Sequence, residues 1–320
     1  TSCSAWRRSS PSLPRTQPTV ENSPSYFDPR TLAKLSGLEL RARHVVEGYV
    51  SGLHRSPYHG FSIEFAQHRE YVPGDDLRYV DWKVYGRSDK IYLKQYEQET
   101  DLVAYLLLDA SESMLYRGER AAFSKLEYAK TAAASLAYLV IRHQDSAGLA
   151  TFDSELRALV RPASTPSHFK ELVHLLEHTQ PQGKTTVGAI LHHLAERFTK
   201  RGVVLVFSDL FDDVPAIAAG LKHLRHRRHD VVLFHVLDRD ELEFPFRQPS
   251  LFLGLEGLPN VSVDARALRK AYLEQFGKYQ EAVRRACLEV GGDYVLMPTD
   301  QPLDVVLSQY LVSRMARAYR

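Results

Sequence analysis

"VAYLLLDASESML", residues 103–115, passes from an unbroken apolar run into a carboxylate at Asp109 and then two hydroxyls at Ser111 and Ser113. Continuous Val and Leu without polar alternation is the pattern of a strand buried on both faces, as strands of parallel sheets are. A strand buried on both faces gains nothing structural from aiming a carboxylate and paired hydroxyls off its end. The rest of the chain shows what kind of sheet it belongs to.

Downstream, strand and helix patterns alternate. "SKLEYAKTAAASLAYLVIRHQ", "PSHFKELVHLLEHT", "TVGAILHHLAERF", "VPAIAAGLKHLRHRRH" and "ALRKAYLEQFGKYQEAVRRACLEVG" have helical periodicity, and a closing helix follows Pro302. "SAGLATFD", "LRALVRPA", "GVVLVFSD", "DVVLFHVLD" and "DYVLMP" read as strands. The alternation predicts an α/β fold over residues 101–320, a doubly wound and mostly parallel sheet with helices on both faces. Only Ser154 and Glu155 separate "LATFD" from "LRALV". Two residues are too few for a crossover helix, so this pair is expected to be an antiparallel hairpin at the sheet edge. Residues 239–266, with "EFPF", "FLGL" and "VSVDA", read as a β-rich insertion.

Upstream, residues 1–25 are rich in Ser, Pro and Arg and read as a disordered tail, with an organelle transit peptide as the second choice. Residues 26–100 read as a small α+β region. Pro29 to Ser51 has helical spacing, "HGFSIEFAQHREYV" and "DKIYLKQYEQE" alternate like half-buried strands, and "VPGDDL" between them is a turn. The connector "EQETD" is too short for a free linker. The two halves are therefore expected to move as one body, with Tyr79, Trp82, Tyr92, Leu93 and Tyr96 supplying apolar contact.

Composition excludes several classes. The chain is 320 residues long, 44% hydrophobic and 25% charged, with a net charge of +2. Arg7, Arg8 and Arg15 lie in the tail, so the remainder is close to neutral and carries no electrostatic footprint for nucleic acid. No apolar run reaches the roughly 18 residues of a membrane span. The cysteines, Cys3 and Cys287, stand at opposite ends of the chain and suggest neither a disulfide framework nor a metal knuckle. A cytoplasmic location is expected.

Ligands of open α/β sheets bind outside the carboxyl ends of the strands, where strand order reverses. The residues at those ends are Asp109, Ser111 and Ser113; Asp153; Ser208, Asp209, Asp212 and Asp213; and Asp238, while Thr185 and Thr186 open a helix. Carboxylates and hydroxyls on one rim are hard oxygen donors, suited to Mg²⁺, Mn²⁺ or Ca²⁺.

The D-x-S-x-S of Asp109, Ser111 and Ser113, the G-x-T from Gly183 to Thr185, and the strand-terminal Asp209, in that order, resemble the metal-ion-dependent adhesion site of von Willebrand factor type A domains. Upstream, "REYVPGDDLRYVDWKVYGRSDKIYLKQYEQE" is similar to the signature of the domain of unknown function 58 family. The resemblance implies one divalent cation. Ser111 and Ser113 would ligate it directly, Thr185 directly or through water, and Asp109 and Asp209 mainly through water or one of them directly. One position would stay open for a partner's Glu or Asp. It also implies a non-enzymatic adaptor or co-chaperone acting beside an AAA+ ATPase of the MoxR type.

The rival is a Mg²⁺-dependent phosphatase of the haloacid dehalogenase class, whose pattern needs an acid two residues after the first Asp. Ser111 stands there and cannot relay a proton.

Other motifs have plainer readings. Ser124 is expected to cap a helix, and Asp212 and Asp213 to serve as cap and turn residues. "GKTT" at 183–186 is not a phosphate loop, because a helix pattern rather than a strand precedes it. "KHLRHRRHD" is expected to be a solvated basic face, His192 and His193 helix-surface residues, and "PGDDLRYVDWK" a capped turn anchored by Trp82.

Overall fold

Every residue of β3 (Val103–Asp109) is buried, as its composition requires. The computed structural model describes residues 33, 37–55, 68–70, 92–94, 102–256 and 259–318. The tail, Cys3 and the turn holding Asp75, Asp76, Tyr79 and Trp82 lie outside these, as do Tyr96 and the side chains of Tyr92 and Leu93.

A first pair of strands, β1 (His68–Glu70) and β2 (Tyr92–Lys94), is antiparallel with His68 opposite Lys94. The main sheet adds β4 (Ser146–Phe152), β5 (Leu156–Ala163), β6 (Val203–Ser208), β7 (Asp230–Leu237) and β10 (Asp293–Pro298) to β3. Its order is β10-β7-β6-β3-β4-β5. All neighbours are parallel except β4 and β5, which form the expected antiparallel edge hairpin, joined by Asp153, Ser154 and Glu155. The chain leaves β3 toward β4 and later returns to its other side as β6. The order therefore reverses at β3, which places the crevice at the carboxyl ends of β3 and β6.

The helices are α1 (Leu38–Arg55), α2 (Lys125–Arg142), α3 (Pro166–His178), α4 (Val187–Arg197), α5 (Val214–His226), the short α6 (Arg239–Glu243), α7 (Ala265–Glu289) and α8 (Leu303–Ala318). Period-two alternation divides β3 between two cores. Ala104, Leu106 and Leu108 pack with residues of α1, α2, α3 and α8. Val103, Tyr105 and Leu107 pack with residues of α4, α5 and α7, including the buried free thiol of Cys287.

Two features bring helices close to the sheet and to each other. The inner face of α2 is built from Ala129, Ala132, Ala133, Ala134 and Ala137, all fully buried, so the helix axis can approach β3. Where α4 meets α5, a side chain on Gly188 would lie 2.5 Å from the Ala216 carbonyl carbon. Only glycine allows that approach.

Helix α1 belongs to the same hydrophobic core as the sheet. Leu38, Ala42 and Val45 are buried in it, the Leu38 N–H donates to Glu177 at 3.0 Å, and Arg41 lies over the Phe123 ring.

The insertion departs from expectation in part. "EFPF" is not a strand: its Glu243 closes α6, and the strands are β8 (Pro249–Phe252) and β9 (Val261–Asp264), an antiparallel hairpin. Phe244, Phe246, Phe252 and Tyr272 form an aromatic cluster here, with the Phe244 ring meeting the other three. The basic stretch on α5 is also only partly a solvated face. Arg225 donates to the Val290 and His229 carbonyls and pairs with Asp230 at 2.6 Å, and Arg227 donates to the Ala195 carbonyl. Among the described residues no helix is long and apolar enough to cross a membrane.

Candidate functional site

The site begins where β3 stops. Ser111 leads into a single 3₁₀ turn, Glu112–Leu115, anchored by Met114, whose side chain is completely buried. This turn sets the Ser111 and Ser113 hydroxyls 3.0 Å apart. Ser111 is thus not acting as a side-chain cap, whereas Ser124 is: its hydroxyl accepts the Glu127 N–H at the start of α2.

The loop before α4 is strapped to the end of β3. Gln182 N–H donates to the Ala110 carbonyl at 2.9 Å, and Glu112 N–H to that of Gly183 at 3.1 Å. Gly183 has φ +64°, left-handed backbone that glycine accepts without strain. This strap delivers Thr185, whose hydroxyl donates to Asp109 Oδ2 at 2.9 Å. From the end of β6, Ser208 donates to the same oxygen at 2.5 Å, and the Ser111 N–H donates to Asp109 Oδ1 at 2.9 Å. Asp109 therefore gathers donors from three segments far apart in sequence. Burial, and then the charge of Asp209, push its carboxyl up to about 7, against the hydrogen bonds from Ser208 and Ser111.

Asp209 is equally buried, and its Oδ2 accepts the Lys125 ammonium at 2.8 Å. The same ammonium reaches Glu241 at 2.6 Å, and Lys125 itself is 1% exposed. Burial would lower the Lys125 pKa, but the charges of Asp209 and Glu241 outweigh it and hold the group above its usual range. Glu241 is positioned by a capping box at α6, with its other oxygen accepting the Asp238 N–H at 2.7 Å.

Behind Asp209, His235 Nε2 meets the Asp209 carbonyl at 2.9 Å. A carbonyl can only accept, so Nε2 carries the proton and Nδ1 accepts from the Tyr294 hydroxyl at 2.7 Å. Burial pushes this imidazole down to about 4, so it sits neutral.

The hairpin adds one more acid. The Glu256 carboxyl faces the Ser113 hydroxyl and the N–H groups of Ser113 and Thr185, and it feels the charge of Asp209. Its Oε1 is buried with no hydrogen-bond partner, so these donors face the carboxyl without closing on that oxygen.

Of the residues singled out in the sequence, Asp109, Ser111, Ser113, Thr185 and Asp209 thus lie on one rim. Asp153, Asp212, Asp213 and Asp238 do not join them. Asp153 accepts the Glu155 N–H and Arg157 in the β4–β5 turn, Asp212 accepts the Gly188 N–H, Asp213 caps α5, and Asp238 holds Gly118 and Thr299. Lys184 is exposed and α3 precedes it, the wrong context for a phosphate loop. His192 and His223 pair on the surface at 3.0 Å.

Lys125, Glu241, His235 and Glu256 were not apparent from sequence. Lys125 did leave a signal: a cation in the first turn of a helix opposes the helix dipole, which asks for acidic neighbours.

The donor set fits a hard divalent cation. The Thr185 hydroxyl gives its proton to a carboxylate, which leaves its lone pairs available to a ligand. The carboxyls of Asp109, Glu241 and Glu256 each feel the charge of Asp209, which pairs with the Lys125 ammonium. Among the described residues no three His, Cys, Asp or Glu side chains cluster to hold a metal, so hydroxyls would make up much of the coordination.

Comparison with known proteins agrees with the sequence patterns. A family model described as protein of unknown function DUF58 matches residues 67–282. The chain is 25% identical over 314 residues to the uncharacterized protein Rv1480 of Mycobacterium tuberculosis, covering 93% of this chain and 95% of that one. Among solved structures, it is similar to an aerotolerance-related membrane protein from Bacteroides fragilis, with TM-score 0.41 and 18% identity over 64% of this chain and 96% of the other. It is also similar to the SpRpn10 VWA domain, with TM-score 0.40 and 14% identity over 65% of this chain and 94% of that one. At such scores the fold rests on the strand order described above, not on either superposition.

Proposed function

The chain belongs to the DUF58 family, and from that footing we propose that it is a binding protein rather than an enzyme, built around a cation site of the metal-ion-dependent adhesion type. Asp109, Ser111, Ser113 and Thr185, with Asp209, would hold one Mg²⁺, or Mn²⁺ or Ca²⁺ in its place. The bound ion would supply a Lewis-acidic position able to accept a carboxylate from a partner.

The observation that carries this reading is the convergence on Asp109 of the Ser111 N–H from the end of β3 and of hydroxyls from the end of β6 and the start of α4, at the point where strand order reverses. The partner is a protein with an exposed acid, and a MoxR-type AAA+ ATPase is the candidate. A cytoplasmic location belongs to the same proposal.

Nothing in the site favours phosphoryl hydrolysis. The position where that chemistry needs a second acid is filled by Ser111, whose hydroxyl is engaged with Ser113.

Titration calorimetry with Mn²⁺ tests the site: the intact chain should bind one equivalent, and Ser111→Ala with Ser113→Ala should abolish binding while leaving metal-free melting nearly unchanged. Affinity capture with and without Mg²⁺, intact chain against Asp109→Ala, tests the partner. Equal Mn²⁺ binding by the double variant would refute the assignment.

A further inference from the structure

The β8–β9 hairpin presents apolar residues to solvent but turns its acid inward. Leu251, Leu253 and Leu255 are 61%, 68% and 37% exposed. Glu256, next in sequence, takes φ +56°, a left-handed conformation that a residue with a side chain adopts only when its surroundings impose it.

Its backbone is tied to the turn that follows β3. The Glu256 N–H donates to Glu112 Oε2 at 3.1 Å, and Glu112 lies in the 3₁₀ turn between Ser111 and Ser113. The Gly254 N–H donates to Asn260 Oδ1 at 2.9 Å and so ties the two sides of the loop together. The result is a carboxyl directed at Ser113 and Thr185, two of the residues assigned to the cation, within the field of Asp209.

By itself that placement is unfavourable. It brings a carboxylate toward another carboxylate and strips Oε1 of water without giving it a donor. A cation held by Ser111, Ser113 and Thr185 would answer both costs.

We propose that Glu256 is a ligand this chain supplies to its own cation site: its carboxylate takes, in cis, the position that a partner's acid would otherwise fill. The β8–β9 hairpin then closes the site, and a partner must displace it to bind through the metal. The inference rests on the cation reading of the preceding subsection, and the experiment separates the two.

The probe is Mn²⁺ alone on the intact chain, compared with Glu256→Gln and with Ser111→Ala plus Ser113→Ala. Calorimetry gives affinity, water-proton relaxation gives the number of exchangeable waters on bound Mn²⁺, and amide hydrogen exchange reports on residues 249–264. Glu256→Gln should bind Mn²⁺ roughly tenfold more weakly, because one charged ligand is lost. It should also gain about one exchangeable water and lose the Mn²⁺-dependent slowing of exchange in the hairpin that the unchanged chain shows. If the unchanged chain binds Mn²⁺ and Glu256→Gln matches it in affinity, hydration and exchange, the hairpin inference is wrong while the cation site stands. If the unchanged chain binds no Mn²⁺, both are overturned.

Discussion

Replacing Lys125 with Met keeps most of the aliphatic stem and removes one charge from the floor of the site. The ammonium lies 2.8 Å from Asp209 and 2.6 Å from Glu241, with Lys125 and Asp209 fully buried and Glu241 15% exposed. At an effective dielectric constant of about 20, each contact is worth ~6 kcal/mol. Dehydrating the three ions costs several kcal/mol apiece, so the intact trio contributes little net stability. Taking away only the cation is different, because two carboxylates remain in place without a counter-charge. The expected loss is about 3–5 kcal/mol. For a domain of this size, each kcal/mol shifts Tm by about 2–4 °C, so the melting temperature in EDTA should drop by roughly 6–20 °C. Circular dichroism melts measure it, and adding Glu241→Gln to Lys125→Met should recover part of the loss by removing one stranded charge. Excess Mg²⁺ should raise the Tm of Lys125→Met more than that of the unchanged chain, since it supplies positive charge to the same carboxylates. A fall below about 2 °C in EDTA would show that the ammonium does not neutralise this cluster. An equal Mg²⁺ effect on both proteins would show that Lys125 and the cation answer different charges.

Three more outcomes can be measured. Without metal, Asp109 is pushed up to about 7 by burial and by Asp209, so the folded chain holds its proton more tightly than the unfolded chain does. That contribution is complete below the ordinary carboxylate range and is lost as pH rises through about 7. Melts in EDTA should therefore decline between roughly pH 5 and 8, while Mn²⁺ affinity rises over the same window and then levels off; a flat Tm contradicts the assignment. Gly188→Ala should cost about 1–3 kcal/mol by pushing α4 away from Ala216, and should weaken Mn²⁺ binding because Thr185 precedes that helix. Val45→Asp should lower the single melting transition of the whole chain by the equivalent of at least ~3 kcal/mol, since the residue is 1% exposed in the core shared with the sheet. Persistence of an unshifted main transition would show that α1 is not part of that core.

What the sequence revealed, and what it hid, follows from how local each feature is. The strands were legible because burial on both faces leaves an uninterrupted apolar run, and the β4–β5 hairpin because two residues cannot span a crossover. Asp109, Ser111 and Ser113 were legible because one strand end and one turn hold all three. Ser208 stands in view at the end of β6, but a lone hydroxyl there has no assignable role until Asp109 is seen beside it. Lys125 was absorbed into helix periodicity, which counts apolar spacing and ignores a cation that faces inward. Glu256 had no signal: its position depends on a hairpin tip docking against Glu112, 144 residues away.

On the proposed reading, Asp209 connects everything at the site. It pairs with Lys125, adds to the burial that raises the Asp109 and Glu241 carboxyls, and lies in the field of Glu256. A cation, a proton on Asp109 and the position of the hairpin therefore cannot vary independently. Linkage makes this quantitative: whatever factor Mg²⁺ adds to the affinity of an acidic partner, the partner must add to the affinity of Mg²⁺. The hairpin lowers the apparent affinity of that partner by the fraction of molecules in which Glu256 is withdrawn. Glu256→Gln should then separate the two couplings, weakening Mg²⁺ while strengthening the partner at saturating metal. Opposite signs from one substitution are difficult to obtain from a loop that only packs, and they follow directly from a carboxylate that occupies the position the partner needs.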